Sequence, residues 1–189
     1  MLILASNSPR RKELLSLITT DFTVRSADVD ETLPERISPE NAVVCLSELK
    51  AKAVYNGVDT VLGADTVVVL DGEILGKPHD DDEAYSMLRA LSGRKHLVYT
   101  GVTILNPKKS NSFFRETEVY FNELSDEEIW DYIRTGECRD KAGAYGIQGY
   151  GSRFVSKING DYFNVVGLPV SSVYRSLRDI RRLVDNNKD

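Results

Sequence analysis

Cysteine is scarce in this chain: Cys45 and Cys138 stand alone, outside any C-x-x-C pair. That excludes a disulfide framework and a thiolate zinc site, and points to a reducing cytoplasm. Histidine is equally scarce. His79 and His96 are the only two, and neither lies at a metal or triad spacing. With no G-x-S-x-G elbow and no Cys–His pairing, covalent catalysis lacks its usual parts. No apolar run approaches a membrane span, and the opening LILA (2–5) is far too short for a signal-peptide core. A basic surplus is missing too. The 24 Lys and Arg against 29 Asp and Glu leave a net charge of −5, so no global field holds a polyanion such as DNA. A local basic cluster can still hold a small anion.

What is present is ordinary globular material. The 189 residues, 41% hydrophobic and 28% charged, suffice for one domain, or one domain with two lobes, around a real core. LILA reads as a buried strand running into a helix over 9–18, and FTVRS (22–26) as another strand. The acidic stretch ADVDETLPER (27–36) reads as a loop. Ser38-Pro39 starts a second helix, with Ala42, Leu46, Leu49 and Ala53 at core-facing spacing. TVLGADTVVVL and EILG are joined by Asp71-Gly72, a type I′ hairpin signal. DDDEAYSMLRALSG is a helix with acids in its first turn and glycine after its end. Strands near 95–105 and 113–121 flank the polar NPKKSNS. Ser125 and Glu128 form a capping box for a helix ending near Gly136. A glycine-rich loop (141–151), a hairpin turning at Asn159-Gly160, and a helix with Val173, Leu177, Ile180 and Val184 on one face complete the chain. Hairpins among helices predict a mixed α/β fold, not a purely parallel sheet.

Charge breaks the pattern at Ser8-Pro9-Arg10-Arg11. Serine and proline suit a helix start, but the first turn favours acids and carries two arginines. They are either solvated surface residues, each costing about 0.3–1 kcal/mol, or an anion site of free N–H groups and guanidiniums. Asp65 lies inside an apolar strand, either held by backbone N–H groups or placed in a cleft to ligate Mg²⁺, activate a water, or both. Gly63 beside it lets backbone or ligand come close. Asp30 or Glu31 offers a second carboxylate. GEILGKP is not a P-loop, because one spacer residue is missing and Pro78 stands where Ser/Thr would bind the metal. Lys77 within it, and Lys50 on the second helix, are solvated by default and phosphate ligands if they reach a cleft. In DKAGAYGIQGYG the glycines let backbone pass close to a ligand. The Gln148 amide, one donor and one acceptor, matches the N3–H and O4 edge of uracil or thymine.

Taken together, LILASNSPRRKELL, ELKAKA, GADTVVVLDGEILGKP, LSGRKHLVYTGV, DKAGAYGIQGYG and GDYFNVVGLP closely resemble the Maf family of nucleoside triphosphate pyrophosphatases, nearly end to end. The resemblance implies a single domain over residues 1–189, with an elongated mixed sheet, flanking helices and a central cleft, as in inosine triphosphate pyrophosphatases. It implies hydrolysis of a triphosphate to monophosphate and pyrophosphate with a divalent cation, Mg²⁺ or Mn²⁺, in a house-cleaning or division-linked role. A nucleotide-binding regulator of septum formation with little turnover is the alternative it leaves. Asp65 matches the proton acceptor; Ser8, Arg10, Arg11, Lys50 and Lys77 match phosphate ligands; and Glu31 matches an acidic position near the metal bound by Asp65. Arg10, Thr66 and Gln148 match the branch that hydrolyses dTTP and UTP. Homodimers occur in such a family, and the sequence carries no interface signature of its own.

Overall fold

Leu2–Ala5 (β1) is buried at every position, as a short unbroken apolar run should be. The computed structural model describes residues 1–26, 29–34 and 36–185, the side chains of 181–185 excepted. Part of the acidic loop, namely Ala27, Asp28 and Glu35, therefore lies outside the described residues, as does the Val184 side chain. After β1 come α1 (Pro9–Ser16), β2 (Thr23–Arg25), α2 (Pro39–Val54), β3 (Thr60–Leu70), β4 (Glu73–Leu75) and α3 (Asp81–Leu91). β5 (Lys95–Asn106), β6 (Lys109–Phe121), α4 (Asp126–Arg134), β7 (Val155–Asn159), α5 (Tyr162–Val166) and α6 (Val170–Asp185) come next, with two 3-10 turns between α4 and β7.

The sheet is mixed, in the order β2-β1-β3-β5-β6-β7, with β4 paired to β3. β1 runs parallel to both β2 and β3, whereas β3–β4 and β6–β7 are antiparallel. Asp71 and Gly72 both take positive φ in the β3–β4 turn, as a type I′ hairpin demands. The Ser125–Glu128 capping box forms in full, satisfying two N–H groups at the start of α4.

The described chain divides into two compact units. The first comprises 1–65, 100–115 and 167 onward; the second comprises 66–99 and 116–166. In the first, Ile3, Ala5, Ala51, Val61 and Leu105 form a core cluster, and α6 buries Val173, Leu177 and Ile180 at the expected spacing. In the second, α3 and α4 bury Leu88, Leu91, Ile129 and Tyr132 with Val98, Val119 and Phe154. Each such side chain contributes about 1.5–3 kcal/mol over exposure.

At three places the structure differs from the sequence pattern. The buried face of α2 is Ala42, Val43, Leu46, Ser47, Lys50 and Ala51; Leu49 is only partly buried and Ala53 is exposed. The reason is a close approach: a Cβ on Gly63 would lie 2.3 Å from the Ser47 carbonyl, and one on Gly101 would lie 2.2 Å from that of Val43. Two glycines thus let α2 lie directly on β3 and β5, turning its small and polar residues inward. Next, β6 begins at Lys109, so most of the polar NPKKSNS is strand, and only Pro107 and Lys108 turn. Finally, Asn159-Gly160 is not a hairpin. Gly160, at φ 134°, leads into α5 instead. Thr117 Oγ1 receives the Asp161 N–H and donates to the Asp161 carbonyl, fixing that corner.

Candidate active site

Parallel pairing brings the end of β1 beside Gly63, so the segment leading to α1 leaves the sheet next to Asp65. Ligands of α/β sheets gather at such carboxyl ends. Ser8 caps α1, its Oγ accepting the Arg11 N–H at 3.4 Å, with Pro9 in the first turn and no acid there. Ser6 Oγ accepts the Ser8 N–H at 3.2 Å and Arg11 Nη1 at 3.4 Å. Arg11 Nε donates to the Gly167 carbonyl at 3.0 Å, tying α1 to the approach to α6. Burial, and then the neighbouring Arg10, lower the Arg11 pKa; the fields of Asp65 and Glu31 oppose that. Both carboxylates and both arginines therefore act within one local field.

Asp65 is 8% exposed and Lys50 is 9% exposed. The Lys50 ammonium lies 2.5 Å from Asp65 Oδ1 and 2.8 Å from Glu31 Oε1, bridging the two carboxylates. Helix periodicity explains how Lys50 gets there. Ser47 and Ala51 sit over Gly63, and Lys50, on the same face, reaches the strand position two residues further on. Gly63 thus serves backbone approach, one of the two uses its place in the strand suggests. Asp30 is engaged elsewhere: its Oδ1 accepts the Thr32 N–H at 2.9 Å and the Thr32 hydroxyl at 2.6 Å, which lower its pKa. Glu31, not Asp30, faces the lysine.

Two carboxylate oxygens converging on one point cation are a donor set that also suits Mg²⁺ or Mn²⁺. Such ions are commonly held by one or two carboxylates plus substrate phosphates. Among the described residues no three acidic, His or Cys groups cluster to form a full protein cage. Asp65 and Glu31 are the residues that could hold such an ion.

The second unit holds Thr66, Lys77 and Gln148. Thr66 is half-buried, and Lys77 is exposed just after β4. The Gly143 N–H donates to the Gly76 carbonyl at 2.9 Å, pinning the glycine-rich loop beside Lys77. Gln148 is half-buried and precedes the 3-10 turn Gly149–Phe154, and its side chain makes no cap bond to that turn. The loop glycines suggest room for a ligand, but Gly149 and Gly151 make room for protein. A Cβ on Gly149 would meet Glu137 Oε2 at 2.4 Å, and one on Gly151 would meet the Gly146 carbonyl at 2.4 Å. Glu137 has no counterpart among the residues singled out by sequence, since a lone glutamate in a polar turn carries no signal. His96 is buried and bonded through Nε2 to the Tyr145 hydroxyl at 2.7 Å, a structural use that matches its lack of any site spacing.

Fold and site together define a mixed-sheet α/β protein with a buried carboxylate set among cations at the carboxyl end of a parallel strand pair. The chain belongs to the Maf family, whose profile, described as "Maf-like protein", matches residues 1–180. It is 54% identical over 184 residues to the dTTP/UTP pyrophosphatase of Geobacillus sp. (strain WCH70), covering 96% of this chain and 97% of that protein. It is 52% identical over 181 residues to the dTTP/UTP pyrophosphatase of Thermococcus gammatolerans, covering 95% and 96%. Among solved structures, a HAM1 protein from Coxiella burnetii is similar in fold, with a TM-score of 0.50 at 14% identity over 94% of this chain and 98% of that one. Among the described residues no helix is long and apolar enough to cross a membrane.

Proposed function

We propose that this protein hydrolyses dTTP and UTP to the nucleoside monophosphate and pyrophosphate, in the cytoplasm and with a divalent cation. The observation that carries the chemistry is the buried Asp65 carboxylate bonded to Lys50 and lying in the field of Arg11. A rigidly held base among cations suits attack on a polyanion. Charge does not choose among the phosphorus atoms; the activity for which the relatives are named supports the α-phosphorus.

Asp65 orients a water and takes its proton as the water oxygen bonds to the α-phosphorus. The bond from that phosphorus to the bridging oxygen breaks, and pyrophosphate leaves with the electron pair. Arg10, Arg11, Lys50 and Lys77 neutralise charge on the triphosphate and the leaving group, while the Ser8 cap presents the α1 N-terminus to a phosphate. Asp65 and Glu31 would hold the divalent cation, which supplies Lewis-acid neutralisation of the phosphate oxygens when bound. Gln148 reads the pyrimidine edge, and Arg10 and Thr66 set preference with it.

The test is the full chain with Mg²⁺ or Mn²⁺ and a nucleotide panel, with pyrophosphate resolved from orthophosphate. Pyrophosphate release with UTP and dTTP preferred is expected. Orthophosphate release, or a purine preference, would overturn the assignment.

A further inference from the structure

The glycine-rich loop wraps a single carboxylate. Glu137, just beyond α4, gathers three donors: Oε2 accepts the Tyr150 N–H at 2.9 Å, and Oε1 accepts the Gly151 N–H and the Tyr132 hydroxyl, each at 3.1 Å. Tyr132 OH in turn accepts the Gly146 N–H at 3.2 Å. Gln148 therefore lies between two backbone anchors, Gly146 before it and Tyr150–Gly151 after it, both ending on the same Glu137–Tyr132 pair. Tyr132 is fully buried, and its ring packs edge-on against Phe154 at 5.0 Å. The pair is thus fixed to the core while the loop is fixed to the pair.

The arrangement has no slack. Glycine at 149, with φ +65°, leaves the Glu137 carboxylate space that a Cβ would fill, and glycine at 151 does the same against the Gly146 carbonyl. With the Gly146, Tyr150 and Gly151 N–H groups and the Tyr132 hydroxyl bonded, the backbone is anchored on both sides of Gln148. That anchoring fixes where the Gln148 side chain leaves the loop, and so where its one donor and one acceptor can meet a base.

We propose that Glu137, acting with Tyr132, is the positioning residue that orients Gln148 and thereby sets the preference for a pyrimidine edge. This rests on the reading of Gln148 as the base-contacting residue. Glu137 touches neither phosphate nor base; it acts through the loop backbone. In Glu137→Gln one acceptor becomes an NH₂ that faces a donor, and in Tyr132→Phe the acceptor for Gly146 disappears while the ring stays packed.

The experiment compares kcat and KM for UTP and GTP in the full-length wild type, Glu137→Gln, Tyr132→Phe, Gln148→Ala and the double variant Glu137→Gln/Gln148→Ala. The expected result is a UTP/GTP ratio of kcat/KM lowered about tenfold or more in each single variant. The change should arise mainly in KM for UTP, and the double variant should go no lower than Gln148→Ala. An unchanged ratio in Gln148→Ala would overturn the reading of Gln148, and the proposal with it. If Gln148→Ala shifts the ratio while Glu137→Gln and Tyr132→Phe keep it, or slow both nucleotides equally, the proposal fails and the Gln148 reading stands. Should Glu137→Gln fail to fold, Tyr132→Phe decides by the same ratio.

Discussion

Gly63→Ala tests how the site is assembled. The added Cβ would lie 2.3 Å from the Ser47 carbonyl oxygen and 2.8 Å from the Ala51 nitrogen, against ordinary contact beginning at 3.4 Å. Both atoms are helix backbone and no rotamer can move them aside, so α2 must withdraw by about 1 Å. Overpacking of this kind costs about 3 kcal/mol, the upper part of the usual range. In a chain of this size that lowers the Tm by about 6–12 °C. Lys50 rides on the same helix turn, so the shift also stretches its 2.5 Å bond to Asp65. A displacement of that size in a catalytic group lowers kcat/KM by about a hundredfold. Thermal unfolding and UTP turnover are measured together, with Gly76→Ala as control, since no atom lies within 4 Å of a Cβ there. The control should keep its stability within about 0.5 kcal/mol. A Gly63→Ala protein with wild-type Tm and wild-type turnover would show that close helix–strand contact does not position Lys50.

Asp65→Asn is expected to cut kcat by about 10²–10⁴, the usual worth of a general base, while nucleotide binding, read by calorimetry in the absence of turnover, is retained or tightened. Near-wild-type kcat would remove Asp65 from the mechanism. Lys50→Met takes away the cation bridging Glu31 and Asp65; Mn²⁺ binding without nucleotide, followed by magnetic resonance, should strengthen while turnover falls. Weaker Mn²⁺ binding would mean these carboxylates are not the metal ligands. Burial holds the His96 pKa down to about 4 against an ordinary 6.5, so the folded state prefers the neutral ring. That stabilisation is complete above pH of about 6.5 and is lost as pH falls to about 4, up to about 3 kcal/mol. The Tm of the wild type should therefore drop across that window more steeply than that of His96→Phe; parallel curves would refute it.

Patterns with a local cause were legible. The Asp71-Gly72 turn, the Ser125–Glu128 box and the α6 stripe each depend on residues a few positions apart, and each is present. The inner face of α2 was not legible, because Ser47 and Lys50 are polar and periodicity counts apolar residues. Their burial depends on Gly63 and Gly101, which are distant in sequence. The Asn159-Gly160 signal was real as a turn but ambiguous as a hairpin, since Thr117 on β6 decides where the chain goes after it. Candidate site residues stand out where a charge contradicts its surroundings, as with Asp65 in a strand and Arg10-Arg11 at a helix start. Glu137 contradicts nothing locally. Its role exists only once the glycine-rich loop has folded around it.

The contradiction at α1 is partly resolved inside the protein. The first turn lacks acids of its own, but Asp65 and Glu31 place their negative charge in the field of Arg11. Lys50 competes for the same two carboxylates. An external anion arriving here adds negative charge beside the same cations. A terminal phosphate group brings more than one negative charge, so its arrival makes the surroundings of Asp65 and Glu31 more negative. Under the proposed function, a divalent cation held by Asp65 and Glu31 would offset that charge. This order of events implies that pyrophosphate alone, without metal, binds measurably and with strong salt dependence. It also implies that removing the Asp65 charge tightens that binding while lowering turnover. Under the proposed function, anion capture and hydrolysis thus place opposite demands on one carboxylate, and Lys50, bonded to it, is the group placed to reconcile them.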